Sequence, residues 1–250
     1  MEEKINQNVG KKSKKKVVIS TVIIVVIAFL IAGGFIFYHG NQTGKLISEV
    51  NKMSEIQIVN EDGSLVEAPL DLEIKTTGSY AVVEETLKNY MNEIVTETQN
   101  LVETLDEQKI MDLVSFDNIK EDGPNFTKSK EEITKLKESV NSYVSKIESL
   151  ANEENLLAKI DDKNIGEYYK ELYRQLAIDE ESSANLKNAI EILKNYEEQM
   201  VQALEDLESI LNFLSENKDE WQIENNQIVF TTESAYEEYT NLMETLPTMQ

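Results

Sequence analysis

LKNAIEILKNYEEQMVQALEDLESILNFL, residues 186–214, is the stretch whose reading decides the fold. Leu186, Ala189, Leu193, Tyr196, Met200, Ala203, Leu207, Ile210 and Leu214 recur at alternating spacings of 3 and 4. That period puts them on one stripe of a helix, a coiled-coil-like seam about 43 Å long. A helix of this length gains most of its stability by burying its stripe, so it needs partner helices.

The partners lie upstream. From Ser79, the residues Leu87, Met91, Ile94, Thr98, Leu101 and Leu105 repeat at spacings of 3 and 4. A short apolar run at 110–116 leads to a break at Gly123-Pro124. Ser129-x-x-Glu132 reads as a capping box that opens the next helix, with Ile133, Leu136, Val140, Tyr143, Ile147 and Leu150 as its stripe. A shorter helix after Asn164 turns Ile165, Tyr169, Leu172, Tyr173 and Leu176 inward. Glycine and proline are sparse beyond Gly78, which leaves room for long helices. The expected result is an elongated up-and-down helical bundle over 79–250.

One segment breaks the helical period. Around Asn225-Asn226, Trp221, Ile223, Ile228 and Phe230 alternate with polar residues. A two-residue turn would pair Ile223 with Ile228 and Trp221 with Phe230, setting all four on one face of a β-hairpin. Two roles are open to these four residues: a lid on the hydrophobic core, or a recognition platform. A terminal helix is expected to begin at Ser234-x-x-Glu237 and to stop at Pro247. Residues 39–78, with four of the nine glycines and Pro69, read as a membrane-proximal connector. It would hold an amphipathic turn at Leu46, Ile47, Val50 and Met53, and a hairpin about Asp62-Gly63.

Val17–Tyr38 carries no charge across 22 residues. As a helix it would measure about 33 Å, enough to cross a hydrocarbon core. Six lysines precede it, against Glu2 and Glu3. Such a flank is retained in the cytoplasm, so the reading is an uncleaved signal-anchor with 1–16 inside and 39–250 outside the cell membrane. Cleavage after Ala32-Gly33-Gly34 is disfavoured because the apolar run continues through Phe35–Tyr38.

The part beyond the run holds 18 Lys+Arg against 45 Asp+Glu, a formal charge of −27. Such a field repels nucleic acid and anionic lipid headgroups and can attract cations or a basic protein surface; a protein partner or self-association is the expected kind of contact. Without cysteine, stability has to come from packing rather than from disulfides. The single histidine, His39, lies next to the apolar run, so neither a Ser-His-Asp triad nor a Cys/His zinc site can be assembled in the bundle. No acidic run before Gly63, Gly123 or Gly166 has the spacing of a calcium loop. The expectation is no catalytic residue, no metal and no cofactor. A non-catalytic interaction or scaffold role comes first. The alternative is a small-ligand or peptide-binding module that uses tyrosines such as Tyr168, Tyr169 and Tyr173.

Ile228 and Phe230, followed by Tyr239, Asn241 and Met243 and closing on Leu246-Pro247, resemble the C-terminus of the YiaF-like bacterial envelope proteins. The resemblance covers about the last 25–30 residues. That family is a domain of unknown function, so the resemblance implies a place in the cell envelope and assigns no functional residue.

Overall fold

The computed structural model describes residues 41–246, apart from 59, 61–63, 178–179 and 226. The basic tail 1–16, the apolar run 17–38, the Asp62-Gly63 turn and Pro247 therefore lie outside the described residues. Among the described residues, no helix is long and apolar enough to cross a membrane.

The fold is mainly helical, with one two-stranded antiparallel hairpin near the C-terminus. In chain order the helices are α1 (Asn41–Ser54), α2 (Ser79–Thr104), α3 (Glu107–Asp112), α4 (Phe116–Asp122), α5 (Thr127–Leu150), α6 (Glu153–Ala158), α7 (Glu167–Ala177) and α8 (Glu180–Glu216). The strands β1 (Trp221–Glu224) and β2 (Gln227–Phe230) follow, and then α9 (Glu233–Thr245). Two compact units share α5 and α8: Leu105–Glu138 with 199–246, and 41–104 with Ser139–Glu198.

In the first of these units, α8 buries Ala203, Leu204, Leu207, Ile210, Leu211 and Leu214. The stripe is broader than a two-position seam because adjacent pairs, 203–204 and 210–211, both turn inward. The short helices α3 and α4 are capped by Asp106 and Ser115, whose side chains accept from the amides of Lys109 and Asn118. The break at 123 is extended backbone ahead of Pro124, and it requires glycine. A Cβ on Gly123 would stand 2.4 Å from the Ile119 carbonyl oxygen and 3.3 Å from the Phe126 ring, so no larger residue fits. Phe126 itself is fully buried.

The entry into α5 differs from the expected capping box. The helix begins at Thr127, and Ser129 lies inside its first turn, buried. The acceptor is Asp122 of α4, which takes the Ser129 amide at 2.9 Å, the Ser129 hydroxyl at 2.8 Å and the Lys128 amide at 3.3 Å. Burial works against the Asp122 charge, but these hydrogen bonds outweigh it and hold its carboxyl below the usual range. A free helix amide is satisfied from the preceding helix rather than from a local box. Likewise α9 is capped by Thr232, which accepts from the Ala235 amide at 3.3 Å, and Ser234 lies within the helix.

In the other unit, α2 packs against α1 and α7. The region read as a connector contributes a full helix, α1, whose Leu46, Val50 and Met53 are buried together with Ile58 beyond it. After α1 the chain folds back through hydrogen bonds from the Asn60 amide to the Ser64 carbonyl and from the Val66 amide to the Ile58 carbonyl, each 2.8 Å.

Between α1 and α2 lies a buried ionic network. Lys88 is 1% exposed, Glu84 0% and Glu49 4%. The Lys88 ammonium donates to Glu49 Oε2 at 2.8 Å and to the Glu73 carbonyl at 2.6 Å, and stands 2.9 Å from Glu84 Oε1. Glu84 Oε2 also accepts from the Thr76 amide at 2.8 Å and the Thr76 hydroxyl at 2.7 Å, and the carboxylate takes the Lys75 amide at 3.0 Å. Glu49 receives a second hydrogen bond from Lys52 on its own helix. Burial opposes charge on all three groups, yet the opposite charges and hydrogen bonds prevail. Glu49 and Glu84 titrate below the usual carboxylate range and Lys88 above the usual lysine range.

Two expectations follow. Lys88→Met strands two buried carboxylates, so it should cost about 3–5 kcal/mol in urea unfolding; a loss under about 1 kcal/mol would be that of an exposed pair. The depressed carboxylates contribute stability that is complete above the unfolded value of about 4.3 and lost as pH falls through their lower folded values. The raised lysine contributes stability that is complete below about 10.4 and lost as pH rises through its higher folded value. Stability should therefore be flat at neutral pH and decline in acid and in strong base, and Lys88→Met should flatten the alkaline decline.

Candidate functional site

The four hairpin residues come together as their alternation requires. Trp221 pairs with Phe230 and Ile223 with Ile228, leaving Asn225 in the turn at φ 49°. A left-handed backbone suits asparagine better than most side chains. Each of the four side chains is half-buried.

The aromatic ends are engaged with the unit around them. The Trp221 indole stacks on Phe126, with centroids 6.3 Å apart and planes 25° off parallel, and its Nε1 donates to the Leu214 carbonyl at 2.7 Å. Phe230 meets Tyr239 at 5.1 Å, Tyr236 at 6.3 Å and Phe213 at 6.4 Å. Burial raises the Tyr239 hydroxyl to about 12, so it stays neutral across physiological pH. Where β2 leads into α9, the Thr231 amide donates to the Glu220 carbonyl at 2.8 Å, and the Thr232 hydroxyl reaches the Glu220 carboxylate at 2.8 Å.

The tyrosines named as ligand contacts do not converge. Tyr173 is fully buried and its hydroxyl donates to the Leu156 carbonyl at 2.9 Å, as a core tyrosine does. Tyr169 is half-buried, edge-on to Tyr80 at 5.0 Å and to Tyr168 at 5.1 Å. Tyr168 is 58% exposed.

Two spaces lie in the unit of 41–104 and Ser139–Glu198. A void among Val50, Met53, Leu87, Tyr90, Met91 and Leu176 measures about 10 Å³, room for one water at most. An open trough of about 350 Å³ lies over Asn92, Glu93, Thr96, Glu97, Lys146 and Ser149. Within it Lys146 pairs with Glu97 at 3.4 Å. Among the described residues, no group of three or more His, Cys, Asp or Glu side chains is placed to hold a metal ion.

Sequence reasoning missed two features. The network of Glu49, Glu84 and Lys88 left a faint trace: 84 and 88 flank Val83, Leu87 and Met91 on the inward side of α2. An i,i+4 Glu–Lys pair is usually solvated, so spacing alone does not mark it as buried. The second is Tyr80, whose place beside Tyr169 depends on tertiary packing.

No protein family, curated protein or solved structure matches the chain.

The hairpin contacts generate an expectation. Trp221→Ala removes a stacked ring and an indole hydrogen bond, so it should cost about 3 kcal/mol, the lower end for a large aromatic because the side chain is half-buried. Denaturant unfolding measures it. Unchanged stability would remove the lid reading and leave Trp221 as a recognition residue.

Proposed function

We propose that this chain is a single-pass membrane protein of the cell envelope whose helical part lies outside the membrane and works by binding another protein, without catalysis. The observation that carries this reading is the uncharged Val17–Tyr38 run behind six lysines. Its length suits a hydrocarbon core and its flank favours an inside N-terminus. The likeness of the C-terminal residues to the YiaF-like envelope proteins points to the same compartment. The acidic character of the remainder supports a basic protein surface as partner and opposes nucleic acid.

A small-ligand role is the second reading, and the open trough beside Lys146 favours it. The trough is open to solvent, whereas ligand sites usually enclose most of their ligand. Protein binding is therefore preferred.

Protease added to intact protoplasts should remove a C-terminal tag and spare an N-terminal one. The opposite protection pattern would overturn the topology. Chemical crosslinking in the same cells should trap a protein adduct that weakens as salt rises, because exposed charges are screened over about 8–10 Å. A protein that instead retains a small molecule in native mass spectrometry, and traps no adduct, would favour the second reading.

A further inference from the structure

The start of α1 lies close to the end of the apolar run. Only His39 and Gly40 separate Tyr38 from Asn41, so three Cα–Cα steps span at most about 10 Å. The interfacial layer on each side of a hydrocarbon core is about 5–8 Å deep. If 17–38 crosses the bilayer, the first turn of α1 cannot stand far above the headgroups.

The residues around that first turn differ from the rest of this acidic chain. Residues 41–44 and 76–83 carry no charge, and 164–169 carry one, the exposed Glu167, which shares Arg174 with Asp161 and Glu171. Packing joins these three segments. The Gln42 side-chain oxygen accepts from the Thr77 amide at 3.1 Å, and the Thr43 hydroxyl donates to the Tyr80 hydroxyl at 3.2 Å. Tyr80 meets Tyr169 edge-on, and Tyr169 meets the exposed Tyr168. Tyrosine is enriched at membrane–water interfaces because its ring tolerates the acyl boundary while its hydroxyl stays wet.

We propose that the end of the unit formed by Tyr80, Tyr168 and Tyr169 rests in the lipid headgroup layer beside the chain's own membrane span. The inference depends on the span assigned above. It adds an orientation: the start of α1 is seated on the membrane and the far end of α1 points into the aqueous phase.

Since the chain has no cysteine, a single introduced thiol labels uniquely. The full chain carrying Tyr168→Cys, modified with a nitroxide, is reconstituted in phosphatidylcholine–phosphatidylglycerol vesicles, with Glu55→Cys at the other end of α1 as the comparison. Power saturation reads collisions with oxygen, which partitions into lipid, and with a water-soluble nickel chelate. The expected result is a severalfold drop in nickel collisions and a rise in oxygen collisions at 168 relative to 55. Equal nickel access at both positions, in protein that floats with the vesicles, overturns the seating while leaving the span intact. Shielding of 168 from both reagents means a protein surface covers it, and that too overturns the proposal. Protein that fails to float with the vesicles removes the span and the seating together.

Discussion

A buried ammonium must find three acceptors, and the packing of α1 on α2 follows from how Lys88 finds them. One comes from Glu49 on α1, one from Glu84 a turn earlier on α2, and one from the Glu73 carbonyl in the segment that leads into α2. Each acceptor belongs to a different piece of chain, so all three must be in register at once. A shift of α1 by a single residue would carry Glu49 about 100° around its helix, leaving Lys88 with an unmet donor. Burial of Leu46, Val50 and Leu87 drives the association but tolerates small slides. The ionic contacts do not. Whether the network adds net stability is secondary, since desolvating three charges offsets much of their attraction. What it supplies here is a unique alignment.

The same logic explains what could be read in the sequence. The seam of α8 and the stripe of α2 were legible because long periodic burial needs no knowledge of the partner. The hairpin register was legible as well, because alternation about a two-asparagine turn admits one pairing that gathers Trp221, Ile223, Ile228 and Phe230. Helix α1 was not, beyond a short turn. Its sequence, NQTGKLISEVNKMS, contains Gly44 and several weak helix formers, and its length depends on the groove that α2 provides. The caps failed for a related reason. Ser129 and Ser234 fit a local pattern, but Asp122 and Thr232 were nearer the free amides once the chain had folded. For the candidate site, the grouping of the four hairpin side chains was legible, while their stacking on Phe126 and Tyr239 was not, because those partners are remote in sequence.

The proposed function draws on where polarity has been placed. The helical part carries its large negative charge on solvated faces, where it can steer a basic partner at little structural cost. Charge is absent from residues 41–44 and 76–83, which follow the apolar run in sequence or pack beside its continuation in α1. The hairpin packs its aromatic rings into the other unit, and the one polar atom among them, the Trp221 indole nitrogen, donates to the Leu214 carbonyl. This distribution suits a protein held at a membrane and presenting a surface better than one that encloses a substrate.

The alignment role of Lys88 makes the segment before α2 the most direct place to test it. The amides of Lys75 and Thr76 belong to neither helix nor strand, and their acceptor is the buried Glu84 carboxylate. Amide hydrogen exchange, resolved by residue, measures their protection. If the network binds this segment into the cooperative unit, Lys75 and Thr76 exchange as slowly as amides in the middle of α2 such as Leu87 and Met91, through the same opening. Exchange of Lys75 and Thr76 at the rate of an exposed loop, while α2 stays protected, would contradict the account.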